Sequence, residues 1–120
     1  MSDDAISAEQ ADICRRFNVS PMAAPADLKV GISRNVRNGL VLPLNGLRHA
    51  AEGDTTGWYI WAGEELSDDS DFFVPLHVGH LHKWSTAVLP YLALPSGWRF
   101  LIAPGHEDVW FDESLLNPIP

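Results

Sequence analysis

Gly57-Trp58-Tyr59-Ile60-Trp61-Ala62-Gly63 is an apolar run closed by glycine at both ends. It reads as a strand, so Trp58, Ile60 and Ala62 point to one side and Tyr59 and Trp61 to the other. Both faces are therefore apolar. A strand of this kind either lies centrally with cover on each side, or leaves one face for a partner.

The other elements are arranged around that constraint. Ser7-Ala8-Glu9-Gln10 fits a capping box, and Ile6, Gln10, Ile13 and Phe17 follow helical spacing, so a short helix is expected over 7–17. Residues 1–6 read as a frayed tail, and 18–26, with Pro21 and Pro25, as a linker. From Leu28, Val30 and Ile32 alternate with Lys29, Gly31 and Ser33. Asn38-Gly39 is a hairpin signal, followed by alternating Leu40, Leu42 and Leu44. Pro43 lacks a donor and marks that strand as short or at an edge.

Further strands are expected at Phe72 to Leu76, Trp98 to Ile102 and Val109 to Phe111. A short helix is expected over 85–92, bent or stopped by Pro90. Gly57-Trp58 running to Gly63-Glu64 is echoed by Gly97-Trp98 running to Gly105-His106-Glu107, a packing similarity rather than a repeat. The expected fold class is α+β: one domain over 1–120, a small antiparallel sheet of about five strands, the helix at 7–17, and a core over 28–115.

Charge narrows the partners. The chain carries a formal net charge of −8, and residues 51–120 hold eleven acids against only Lys83 and Arg99. Such a segment repels phosphate backbones and favours basic partners, which argues against nucleic acid. No apolar run approaches the ~18 residues of a membrane span. Met1-Ser2-Asp3-Asp4 lacks the basic start and apolar middle of a secretory signal, so a cytoplasmic location is expected. Cys14, the only cysteine, reads as a half-buried helix residue despite its neighbours Arg15 and Arg16.

Chemistry-bearing groups are few. His77, His80 and His82 lie near Asp68, Asp69 and Asp71, and imidazole with carboxylate suits zinc, iron or manganese. No two of these histidines are four apart, so they do not share a helix face. Turn-capping histidines are the simpler reading, and no metal or cofactor is expected. The adjacent acid pairs Glu64-Glu65, Asp68-Asp69, Glu107-Asp108 and Asp112-Glu113 share the same water and lack the divergent environments that acid–base catalysis needs. With no nucleophile elbow, phosphate loop or dinucleotide fingerprint, an enzyme is not expected.

Five tryptophans, Trp58, Trp61, Trp84, Trp98 and Trp110, all fall in the second half. Core packing is the default for each. Trp61 and Trp110 lie beside acidic turns, however, and aromatic anchors rimmed by charge resemble interface hot spots. The expected partner-binding residues are Trp61, Glu64, Glu65, Asp68, Asp69, Asp71 and Trp110. A homodimer through the Trp-rich face is left open.

Gly57-Trp58, Leu94-Pro95-Ser96-Gly97-Trp98-Arg99-Phe100 and Glu107-Asp108-Val109-Trp110-Phe111-Asp112 together resemble the bacterial immunity-protein family numbered thirty-three, first catalogued as a domain of unknown function. The likeness runs from Val30-Gly31-Ile32-Ser33 to about Leu115. The Asp-Ser-Gly-Trp element typical of that family stands here as Asp54-Thr55-Thr56-Gly57-Trp58, one residue longer, and the acidic turn follows at Gly63-Glu64. The resemblance implies a small α+β protein that binds and neutralises a toxin of a polymorphic toxin system. It carries over no binding residues. A second expectation is a metal-dependent or small-ligand-binding module centred on His77, His80 and His82.

Overall fold

A computed structural model describes residues 6–37, 39–67, 69 and 71–116. The helix α1 (Ala8–Arg16) begins with the capping box expected of its sequence. The Ser7 hydroxyl accepts from the Gln10 amide at 3.0 Å, and the Gln10 side chain accepts from the Ser7 amide at 3.1 Å. Two otherwise orphaned donors are thereby satisfied. α1 turns Ile13 and Cys14 into the core, and just beyond its C-cap, Phe17, Asn18 lies in the left-handed region at φ 59°.

The strands are β1 (Lys29–Ser33), β2 (Leu44–Arg48), β3 (Thr55–Ala62), β4 (Phe73–His77), β5 (Trp98–Ala103) and β6 (His106–Phe111). They form one sheet in the order β4-β1-β3-β2-β5-β6. The glycine-bounded strand, β3, is central, as its two apolar faces require. The fold is α+β, with six strands where five were expected. The sheet is mixed rather than antiparallel, because β1 runs parallel to β3 while every other pairing is antiparallel.

Three expectations are corrected by this topology. β1 and β2 do not form a hairpin, since β3 lies between them. After β1 the chain enters a 3-10 turn, Arg34–Val36, and Asn38 lies outside the described residues. Leu40 and Leu42, expected in a strand, are 83% and 46% exposed, and β2 starts only after Pro43. That strand is short, as expected, but central rather than at an edge. No α-helix forms over 85–92: a 3-10 turn occupies Leu89–Tyr91, where Pro90 denies the i→i−4 bond that an α-helix needs. Of the expected tail over 1–6, residues 1–5 lie outside the described residues.

α1 and the segment following β4 cover one face of the sheet. Val30, Ile32, Trp58, Ile60, Phe100 and Ile102 from the strands pack there against Ile13, Cys14, Leu81, Val88, Leu92 and Leu94. Each fully buried side chain of this size contributes about 1.5–3 kcal/mol, so this layer dominates stability. Arg48 lies within it at 1% exposure. Its guanidinium donates to the carbonyls of Thr56 (3.0 Å), Met22 (2.8 Å), Ala23 (3.0 Å), Leu92 (3.0 Å) and Leu94 (2.9 Å). Burial pushes its pKa down to about 10, which leaves it charged at neutral pH. The segment over 18–26, expected as a linker, is held to the sheet by these bonds and by Met22 N donating to Ala93 O at 2.8 Å.

The two Gly-Trp echoes share a conformation. Gly57, near the start of β3, and Gly97, just before β5, have φ of +92° and +96°, and Gly63 and Gly105 follow those strands at +103° and +73°. Gly57 also creates a bulge, since Lys29 and Gly31 of β1 stand opposite Thr55 and Tyr59 of β3.

Candidate functional site

Cross-strand partners point to the same side of a sheet, so the register defines what the other face displays. One row crosses all six strands: Pro75, Gly31, Tyr59, Leu47, Arg99 and Trp110. The next row holds Trp61, Asn45, Leu101 and Asp108. Neither α1 nor the core segment covers this side. It carries a smaller cluster in which Leu47, Trp61 and Leu115 are buried against Phe72 and Phe73. Tyr59, Leu66 and Trp110 remain 39%, 50% and 38% exposed.

The acidic loop borders this face, and its root is fixed. Gly63 N donates to Pro43 O at 2.8 Å, and the buried Asn45 amide donates to Gly63 O at 2.8 Å. Glu64, Glu65, Asp69 and Asp71 are exposed. Asp69 also organises the loop: its carboxylate accepts from Asp71 N at 3.0 Å, and its carbonyl accepts from Phe72 N at 3.0 Å. Asp68 lies outside the described residues. Between Glu65 and Ser67, Leu66 joins Leu47, His49, Tyr59 and Phe73 around a hollow of about 190 Å³.

Trp61 is not the displayed anchor expected from its acidic neighbours. It is 4% exposed, packed under Phe73 and beside Leu115, and its indole N–H has no partner among the described residues. Trp110 is displayed, and Arg99 holds it in place: the guanidinium carbon lies 5.3 Å from the ring centre while Nη1 pairs with Asp112 at 3.1 Å. Asp112 is held below the usual carboxylate range by its bonds to Ser114 and Arg99. Trp110 and the loop thus share one face. Across the sheet, β3, at the root of the loop, and β6, which carries Trp110, stand three strand spacings apart, roughly 14 Å. The sequence reading missed Tyr59, Leu66, Phe73 and Arg99. The one available signal was the second apolar face of β3, which already contained Tyr59.

His77, His80 and His82 end β4 and continue into the 3-10 turn Val78–Lys83. The rings of His77 and His80 stand 6.0 Å apart, whereas His82 lines a separate, largely apolar cavity of about 670 Å³ with Val36, Val41, Trp84 and Ala87. Among the described residues no three histidine, cysteine or acidic side chains are placed to hold a metal ion. Cys14 is buried, donates to Ala93 O at 3.3 Å, and has its thiol pKa pushed up by that burial. A raised thiol pKa disfavours the nucleophilic thiolate. No helix among the described residues is long and apolar enough to cross a membrane.

A family model described as the Imm33-like domain matches residues 9–112. The chain belongs to the Imm33-like family. The match begins within α1 and extends past β6, so the capped helix is part of the family domain rather than an addition to it. Neither the comparison with curated proteins nor that with solved structures gave a match.

Proposed function

We propose that this Imm33-like protein is an immunity protein that binds a cognate bacterial toxin in the cytoplasm of the producing cell and neutralises it by occlusion. The observation that carries this reading is the sheet face opposite α1, which displays Tyr59 and Trp110 on either side of Leu47 and Arg99, with the acidic loop along its border. Buried aromatic contacts slow release, and complementary charge speeds encounter and selects the partner. Glu64, Glu65, Asp69 and Asp71 form the acidic border, Asp68 adds a further acid to the same stretch of sequence, and Trp110 marks the far side of the face. Trp61 contributes from beneath, as a rigid support for Phe73.

On this reading the protein is not an enzyme and needs no cofactor. A homodimer through the same face would compete with the toxin. The test is capture of partners by the tagged full-length protein in the native cell, followed by co-expression of the captured protein with and without it. A stoichiometric partner that is released as salt rises, and that stops growth unless this protein is present, fits the proposal. A captured partner without toxicity refutes it.

A further inference from the structure

We infer that the hollow formed by Leu47, His49, Tyr59, Leu66 and Phe73 receives an arginine side chain of the protein partner. The inference rests on the immunity reading and specifies the chemistry the partner must present there. The floor is apolar, with Leu47 6% exposed, and Leu66 forms the outer wall from the middle of the acidic loop. The Tyr59 ring meets Phe73 edge-on, with centres 5.1 Å apart, and meets His49 edge-on at 5.7 Å. Rings set perpendicular to one another give an entering group both a face to stack on and apolar flanks for its stem.

Charge selects what enters. On the loop that carries Leu66, Glu64, Glu65, Asp69 and Asp71 are exposed and no base lies among them, while Arg99, beside Leu47 on the same face, is paired with Asp112. None of these lines the hollow itself. An aliphatic side chain would fit the walls without using the field around them, and an acidic one would be repelled. Arginine uses both: its stem packs on Leu47 and Leu66, and its planar, weakly hydrated guanidinium stacks on an aromatic face. His49, which lines the hollow, is held in place by its Nδ1, which donates to Leu115 O at 3.1 Å.

The probe is the peptide acetyl-Gly-Arg-Gly-amide, titrated into the full-length protein while side-chain resonances of Tyr59, Leu66 and Phe73 are followed by NMR. Peptides with norleucine, lysine or glutamate at the centre serve as comparisons. The expected result is saturable shifts at those three residues with arginine, weaker ones with lysine, and none with norleucine or glutamate. Tyr59→Leu, which keeps an apolar side chain but removes the ring, should weaken arginine binding by about 2–5-fold. Leu66→Ala, at a half-exposed position that threatens the fold less, should weaken it as well.

Equal binding of the norleucine peptide, or arginine shifts confined to the loop amides and indifferent to both variants, would overturn the inference. The same variants in the capture experiment separate the two proposals. Partner capture undiminished by either variant overturns the arginine seat and leaves the immunity reading intact. Arginine binding in the hollow, with a captured partner that proves non-toxic, overturns the immunity reading alone.

Discussion

Arg48 and Trp58 donate to the same carbonyl: Leu92 O accepts from Arg48 Nη1 at 3.0 Å and from Trp58 Nε1 at 2.9 Å. The guanidinium carbon lies 5.6 Å from the centre of the indole ring. One charged side chain and one aromatic side chain thus fasten the segment around Leu92 to neighbouring central strands. Arg48→Ala leaves several buried carbonyls without donors, each worth about 1–3 kcal/mol, so a loss of at least ~3 kcal/mol is expected. Arg48→Lys should recover little, because one ammonium cannot span acceptors from three separate segments. Trp58→Phe should cost less than Arg48→Ala. Urea unfolding of the three variants checks the order.

Gly57 admits no side chain. A Cβ built there would stand 2.0 Å from the His49 carbonyl oxygen, and its φ of +92° is one that L-residues avoid. Gly57→Ala should therefore destabilise the fold by several kcal/mol, well beyond the ~1 kcal/mol typical of an ordinary substitution. Gly31→Ala acts differently. Its Cβ would meet the Tyr59 ring at 2.7 Å, a side chain that can shift toward solvent. A small loss of melting temperature with a large change in Tyr59 resonances is the expected outcome, and the reverse pattern would count against the described register.

Glu107 links α1, the Leu89–Tyr91 turn and β6 by accepting from both Arg16 and Tyr91. The Arg16 bond, then the Tyr91 bond, hold its carboxyl below the usual carboxylate range. A folded-state pKa below the unfolded one adds stability that is present above the unfolded value and lost as pH falls through the folded value. Glu107→Gln should therefore flatten the fall in melting temperature below about pH 4.3, the ordinary glutamate value, and lower it at pH 7. Tyr91→Phe should do part of the same. Thermal melts from pH 3 to 7 would show this, and parallel profiles for variant and wild type would refute it.

Replacing Glu64, Glu65, Asp68, Asp69 and Asp71 with their amides should weaken partner capture and flatten its dependence on salt. The melting temperature should change little, since the described members of the set are exposed. Association rates at low and high salt are the direct readout. A salt dependence equal to that of the wild type would remove the loop from the interface.

Trp110→Ala should reduce capture without unfolding the protein, because the ring is 38% exposed and lies against the guanidinium of Arg99. Trp61→Ala should instead behave as a core truncation, with a loss of about 3–5 kcal/mol. Equal effects of the two on stability would mean that Trp110 is structural.

What could be read from the sequence was local. The capping box at Ser7 and Gln10 needs only four residues, and β3 declared its central place through two apolar faces. Strand order depends on which distant segments meet. The parallel pairing of β1 with β3 leaves no mark in either strand, which is why Asn38-Gly39 suggested a hairpin that does not form. Trp61 was misjudged for the same reason. Its sequence neighbours are acidic, but the groups that enclose it, Phe73 and Leu115, lie twelve and fifty-four positions away. The burial of Arg48 left no mark in the sequence, because its partners are main-chain atoms and carry no signal in residue type.

That last property reaches beyond stability. An acceptor made of backbone is the same whichever amino acid bears it, so Met22 and Ala23 can be exchanged without altering what Arg48 finds, whereas Leu92 and Leu94 are also fixed by their places in the core. The clamp asks for one invariant side chain and for loops of the right length. Between those requirements, mutation is free to rewrite the loops while the architecture stays in place.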